Sequence, residues 1–278
     1  MKERKVVWYS CGVSSFIAGL LTSNLKEAEW IRIMLPDEEA DSERFLKDCE
    51  EYVGINIKTI QDKDKRSVND IIRKKRFLNS PHGGPCTGPL KRQVRIEWEK
   101  DNINLDEEIV TYVWGFDKEE QHRADRMVEA FPEFKHEFPL IDAGLTKADC
   151  HGILKELGIK RPRMYDLGFP NNNCIMCLKA GMGTMNFTRK NFPEAFEERA
   201  KLEREIGHSC LRKYFLDELP EDAGRLPKPI PQDLTEVGSV ALNKIKYNLT
   251  GELRPILKNI VDYSNVEYRQ MDIFDFVS

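Results

Sequence analysis

The feature that most constrains this chain is the way it opens. Residues 5–9 form a short apolar run that reads as a strand, Ser10-Cys11-Gly12-Val13-Ser14-Ser15 follows as a small-residue turn, and residues 15–25 carry helical periodicity. A strand that passes through such a turn into a helix commits the chain to a parallel α/β arrangement, provided that more strand and helix pairs follow. They do. Residues 29–35 read as a second strand, 42–53 as a helix capped by Ser42 with Phe45, Leu46 and Cys49 on one face, and 55–60 as a third strand. Helices are expected over 67–75 and 90–100, on either side of the turn-rich 79–85. A strand over 109–114, a helix from 118 to 130, a short strand over 135–138 and a helix over 146–157 complete the series. The expected fold is an open, mostly parallel twisted sheet flanked by helices.

The alternation ends near residue 160. Pro, Gly and Asn crowd residues 161–173, which predicts irregular backbone leading into Cys174, and 193–206 is the last clear helix. Beyond Leu219, the prolines at 220, 227, 229 and 231 break regular structure. Three parts are therefore expected: an α/β domain over 1–160, a helical and irregular cysteine-bearing region over 161–219, and a C-terminal extension over 220–278 whose fold and role the sequence leaves open. With 278 residues and 40% hydrophobic content, the chain can build one sizeable core plus a smaller lobe. It contains no apolar run of about 18 residues, and its charged start, Met1 to Lys5, lacks the apolar stretch of a signal peptide, so a cytosolic protein without a membrane anchor is expected. The net charge of -4 argues against nonspecific nucleic-acid binding by the surface as a whole. The basic runs Lys63, Lys65, Arg66 and Arg73 to Arg76 read as solvated helix faces.

Between the first strand and helix, the amides and hydroxyls of the Ser10–Ser15 turn would converge where the helix dipole is positive, a place suited to phosphate. Gly12 permits close backbone approach, while Ser10, Ser14 and Ser15 supply neutral donors. The same composition also serves simply to cap a helix.

Seven cysteines without an export signal imply a reducing compartment, where clustered thiols are more often metal ligands or redox groups than disulfides. Cys174-Ile175-Met176-Cys177 can grip one metal or one edge of an iron–sulfur cluster, and can equally be a redox dithiol. Cys86, in a Gly/Pro loop, is placed to join from another element, with Cys210, beside His208, as the fourth ligand. Three cysteines plus His208 or Cys210 would also make a tetrahedral zinc set. Cys49 and Cys150 fall in helical patterns and read as core, and Cys11 as a small turn residue. Trp98 and Trp114 read as core or helix-packing residues. Among the basic residues near the sheet's expected C-terminal edge, Arg92, Arg95 and Arg126 have Glu97, Glu99, Glu120 and Glu129 as available ion-pair partners.

Several of these segments, in this order, resemble one family. Val7 to Ser15 is similar to the PP-loop, usually Ser-Gly-Gly-x-Asp-Ser, with Cys11 in the second place and Ser14 in that of the Asp. Leu35-Pro36-Asp37 looks like that family's adenosine-contacting loop, and Cys86-Thr87-Gly88-Pro89-Leu90-Lys91 resembles its Cys-x-x-x-Leu-Lys segment. Gly115 to Arg123 is similar to its Gly-x-x-x-x-Glu-x-x-Arg element, while Pro139-Leu140-Ile141 and Met164 to Phe169 match the approach to its cysteine pair. On these motifs residues 5–219 resemble the phosphoadenosine phosphosulfate (PAPS) reductase-like branch of the PP-loop, or adenine nucleotide alpha hydrolase-like, superfamily. The resemblance implies an adenine nucleotide, ATP or a sulfonucleotide, held by Ser10, Gly12, Ser14, Ser15 and Asp37. It implies catalytic roles for Lys91 and Arg123, and a four-iron, four-sulfur cluster at Cys86, Cys174 and Cys177, with Cys210 as the candidate fourth ligand.

Three functions follow from that resemblance. The first is ATP-dependent adenylation followed by sulfur transfer to a nucleic acid or small molecule, with a sulfur donor as partner. The second is a PAPS or adenosine phosphosulfate reductase working with a thioredoxin-like reductant. That family's nucleophile lies in a C-terminal Glu-Cys-Gly segment, and this chain has no cysteine after Cys210. The third is a catalytically silent nucleotide-binding protein with structural zinc. Assembly as a homodimer is compatible with each.

Overall fold

The computed structural model describes residues 1–79 and 83–250. Ser80, Pro81 and His82 of the expected turn, and residues 251–278 of the expected extension, lie outside the described residues. The described chain is α/β, with five parallel strands: β1 (Lys2–Trp8), β2 (Glu29–Ile33), β3 (Ile57–Ile60), β4 (Glu108–Val113) and β5 (Lys135–Glu137). They lie in the order β3-β2-β1-β4-β5. The chain thus builds outward from β1 in one direction, then returns to its other side. Strands leaving a central strand in opposite directions open a crevice at their carboxyl ends. Here that crevice lies between β1 and β4, whose register runs from Lys2↔Glu108 to Val7↔Val113.

The first helix, α1 (Val13–Leu21), is apolar almost all round, and eight of its nine residues are buried. Such a helix needs cover on more than one side. It receives that cover from the sheet, from α7 (Lys147–Glu156) and from α11 (Glu236–Thr250). Helix α2 (Asp41–Val53) buries Phe45, Leu46, Cys49 and Val53, and ends on left-handed Gly54. It begins at Asp41, so Ser42 is not its cap. The Ser42 side chain is buried, and its hydroxyl accepts a hydrogen bond from Asn172. Helices α3 (Val68–Lys75) and α7 start on capping boxes, Ser67 with Asp70 and Thr146 with Asp149, in which each side chain takes up an N–H that helix geometry leaves orphaned.

A π-helical turn at Gly88–Arg92 leads into α4 (Gln93–Asn102), and a 3₁₀ turn at Lys118–Glu120 leads into α5 (Gln121–Ala130). Two short helices, α6 (Pro139–Asp142) and α8 (Arg163–Asp166), flank α7 in sequence. The region after residue 173 is more helical than its composition suggests, because α9 (Met182–Asn191) precedes the expected α10 (Pro193–Ile206). These two build a second core with α3: Val68, Ile71 and Ile72 pack with Leu90, Met176, Met185, Phe196 and Leu202.

The stretch after Leu219 also contains order that the sequence reading left open. Asp149 Oδ1 accepts from both the backbone N–H and the hydroxyl of Thr235, which ties the start of α11 to α7. Gly152 makes room for this crossing, since a Cβ there would stand 2.5 Å from the Asp233 carbonyl oxygen. Helix α11 then lays Ala241, Leu242 and Ile245 on the first core. Among the described residues no helix is long and apolar enough to cross a membrane.

Candidate functional site: a serine turn beside a thiol chamber

The crevice predicted by the strand order is a cleft of about 540 Å³. Ser10, Gly12, Ser14 and Ser15 line it from the β1–α1 turn, and Trp114, Gly115, Phe116 and Asp117 from the end of β4. The two turns are pressed together at Gly115, where a Cβ would stand 2.5 Å from Ser15 Cα and 2.7 Å from its nitrogen. Only glycine allows that approach.

Within the turn the serines divide their work. Ser15 is buried and fully engaged: its hydroxyl accepts from the Ser10 backbone N–H (3.1 Å) and the Ser10 hydroxyl (3.0 Å), and donates to the Gly12 carbonyl (2.9 Å). Ser15 therefore braces the loop, while Ser10 stays exposed. The residue in the left-handed region is Cys11 (φ 56°), and Gly12 is extended. Cys11 is held there by burial and by its thiol, which donates to the Ser42 carbonyl at 3.2 Å. Burial pushes that thiol up to about 11, against the pull of nearby Arg32. At neutral pH it stays protonated.

Cations surround the turn. Lys91 and Arg92 are exposed on the cleft wall and make no ion pair among the described residues. Arg95 is buried in a pair with Glu99 (2.9 Å) and lies 3.8 Å over Phe131. Arg123 is paired with Glu120 and stacks 4.4 Å from the centre of Phe116. Arg126 is exposed and donates to the His122 carbonyl. Lys147, which sequence reasoning missed, also lines the cleft. Its amine donates to Asn171 Oδ1 (2.6 Å) and to the Pro170 carbonyl, and burial lowers its pKa while Asp117 and Glu120 oppose that shift. Its signal was its position: a lysine in the first helical turn opposes the helix dipole and calls for another reason to be there.

A second chamber of about 600 Å³ adjoins the first. Cys86, Cys174 and Cys177 all line it, and it shares Thr87, Lys91, Arg123, Asn171, Asn173 and Cys174 with the serine-lined cleft. Burial pushes the Cys174 thiol up to about 12, with Lys91 drawing it down. Burial also raises Cys86, and neighbouring Cys177 adds to the rise. The Cys-x-x-Cys turn is pinned from two sides. The Ile175 N–H donates to the Asp37 carbonyl (3.0 Å), and the Met176 carbonyl accepts from buried Arg199 of α10 (3.0 Å). Arg199 also donates to Asn69 (2.8 Å) and was not singled out from the sequence.

Two expected site residues stand apart. Asp37 lines neither chamber, and its carboxylate caps α3 by accepting from the Val68 N–H (2.9 Å). Cys210 is buried in the second core behind the chamber, beside Glu203, whose carboxylate accepts from the Cys210 N–H (2.7 Å). His208 is exposed and also lines neither chamber. Among the described residues no group of three or more His, Cys, Asp or Glu side chains is gathered as a single metal ion requires. Cys49, Cys150 and Trp98 are buried, as expected of core residues. Trp114 is half-buried: it packs against the cluster of Trp8, Trp98 and Tyr112, as expected, and it also lines the cleft.

No family model, no curated protein and no solved structure matches the chain.

Proposed function

We propose that this chain is an adenine-nucleotide enzyme of PAPS reductase-like character that adenylates an acceptor with ATP and replaces the adenylate with sulfur. The observation that carries the reading is the continuity of the two chambers: a serine turn at a helix N-terminus opens onto the same space as three thiols, with Lys91 and Arg123 on the shared wall.

An acceptor oxygen attacks the α-phosphorus of ATP, a new P–O bond forms, the α–β anhydride bond breaks, and pyrophosphate leaves. Negative charge grows on the leaving phosphate during this step. Lys91, Arg123, Lys147 and the N-terminus of α1 offset it, and such preorganised groups stabilise most where water is excluded. Ser10 supplies a neutral donor, and Ser15 keeps the turn rigid. Sulfur then bonds to the activated acceptor carbon, the C–O bond at that carbon breaks, and AMP departs with the oxygen and its bonding pair. An iron–sulfur cluster, when bound, would be held by Cys86, Cys174 and Cys177 and would supply this sulfur. Three thiols on one chamber suit such a group in the kind of donor they offer. Cys210 lines neither chamber and is engaged with Glu203 through its backbone N–H, so it is not part of that set.

Pyrophosphate release from ATP, measured with the anaerobically purified full chain and candidate acceptors, tests the proposal. Acceptor-dependent release is the expected result. Sulfite formed from PAPS or adenosine phosphosulfate with thioredoxin would move the chain to the reductases, and nucleotide binding without either product would leave a binding protein.

A further inference from the structure

The β4 side of the cleft is walled by aromatic rings. Trp8 and Trp114 lie nearly parallel (21°, centroids 6.4 Å apart), Trp114 and Phe116 are parallel within 4° at 6.1 Å, and Phe138 continues the series at 6.1 Å from Phe116. Trp8, Trp114, Phe116 and Phe131 all face the cleft, and Nε1 of Trp8 has no hydrogen-bond partner. Trp8 and Trp114 also pack edge-on to Tyr112 in a core cluster, which fixes their planes, whereas Phe116 lies outside that cluster and lines the cleft.

We infer that this wall stacks an unpaired base of a single-stranded nucleic acid, which is then the acceptor. Its role as acceptor rests on the adenylation proposed above, whereas its binding does not. Neighbouring rings stand closer than the roughly 7 Å, two base-stacking rises, that a base inserted between them would need. A base must therefore lie on an exposed ring face. The face of Phe116 already carries a planar cation, the Arg123 guanidinium at 4.4 Å, which is 48% exposed and held by a solvent-accessible pair with Glu120 that costs little to break. A base that takes its place releases Arg123 towards the phosphates of ATP, where the proposed chemistry uses it. Arg92, exposed in the same cleft without an acidic partner among the described residues, serves the strand's phosphates, while Lys91 stays with those of ATP. Aromatic faces alternating with backbone-tracking cations are what single strands bind. In a duplex the base faces are covered by their neighbours, so paired strands are excluded.

The test uses the full chain saturated with a non-hydrolysable ATP analogue, and labelled oligodeoxythymidylate followed by fluorescence anisotropy. The single strand should bind, the duplex of the same length should bind at least tenfold more weakly, and Phe116→Leu should weaken the strand about tenfold. Phe116→Tyr, which keeps the ring, should retain binding and so separates stacking from misfolding. Equal binding by Phe116→Leu, equal binding of the duplex, full competition by thymidine monophosphate at matched base concentration, or no strand binding would each overturn the inference. Affinity for the ATP analogue, read on the same samples, reports the nucleotide site separately.

Discussion

Asn172 donates a hydrogen bond from Nδ2 to the carbonyl oxygen of Cys11 (2.8 Å), so the segment that delivers Cys174 is fastened directly to the serine turn. The same amide donates to Ser42 Oγ (3.0 Å), and the buried Tyr165 lines the cleft beside the turn. The serine turn and the thiol turn are therefore one mechanical unit. Asn172→Ala removes the fastening and leaves a buried carbonyl without its partner, a change that costs about 1–2 kcal/mol. A loss of that size should weaken ATP-analogue binding about fivefold to thirtyfold and speed alkylation of Cys174. Calorimetry and site-resolved mass spectrometry measure the two effects, and a change in only one of them would separate the turns.

Cys174 carries a pH prediction. Burial disfavours its thiolate and raises it from the ordinary thiol value of 9.0 to about 12. Iodoacetamide should therefore label Cys174 slowly at pH 7.5, with a rate that climbs about tenfold per pH unit. Folding favours the protonated thiol, so this group's contribution to stability is complete below pH 9 and is lost as the pH rises towards 12. Lys91→Met removes the opposing positive charge and should slow labelling further at every pH. A plateau in the labelling rate near pH 9 would show an unshifted thiol.

His151 gives the opposite dependence. It is fully buried, edge-on to Tyr165 at 4.5 Å, and Nε2 has no hydrogen-bond partner. Burial, with Arg161 and Lys147 nearby, lowers its pKa from 6.5 to about 3. The unfolded chain then binds a proton that the folded chain refuses, so stability is complete above pH 6.5 and falls as the pH drops towards 3. At pH 5 the penalty is about 2 kcal/mol. His151→Phe should lift the urea midpoint at pH 5 relative to its effect at pH 8. The same difference at both values would show that His151 does not carry the acid sensitivity.

How far the sequence discloses this arrangement depends on whether a signal is local. Ser67 with Asp70 and Thr146 with Asp149 disclose their helices because a capping box is complete within four residues. Strands β1, β2 and β4 are legible because each holds a short buried apolar run, whereas β5, Lys135-His136-Glu137, has none of its own. Helix α11 is not, since the face it buries includes Gly238 and Ala241 beside only two larger apolar residues, Leu242 and Ile245. Helix α9 hides behind Gly181 and Gly183. In the site, the serine turn and the cysteine pair are contiguous in sequence and could be found. Arg199 and Lys147 gain their roles only when α10 and α7 arrive against other elements, and Asp37 loses its expected place because Val68 claims its carboxylate.

Gly115 offers the sharpest test of the crevice itself. Its missing side chain lets β4 close against the start of α1, and an added Cβ would meet backbone atoms of Ser15 rather than a movable side-chain tip. Gly115→Ala must therefore displace the turn whose hydroxyl bracing runs through Ser15. Overpacking of this kind costs about 1–3 kcal/mol, and the cost falls on the turn that the proposed function assigns to phosphate. Nucleotide affinity should drop at least tenfold. Gly88→Ala is the matched control, because nothing stands within 4 Å of the new Cβ and its residue already lies in a helical turn. That substitution should leave stability unchanged or raise it by about 0.5 kcal/mol through the unfolded chain. If Gly115→Ala binds the ATP analogue as the parent does, the β1–β4 crevice is not where the phosphates lie.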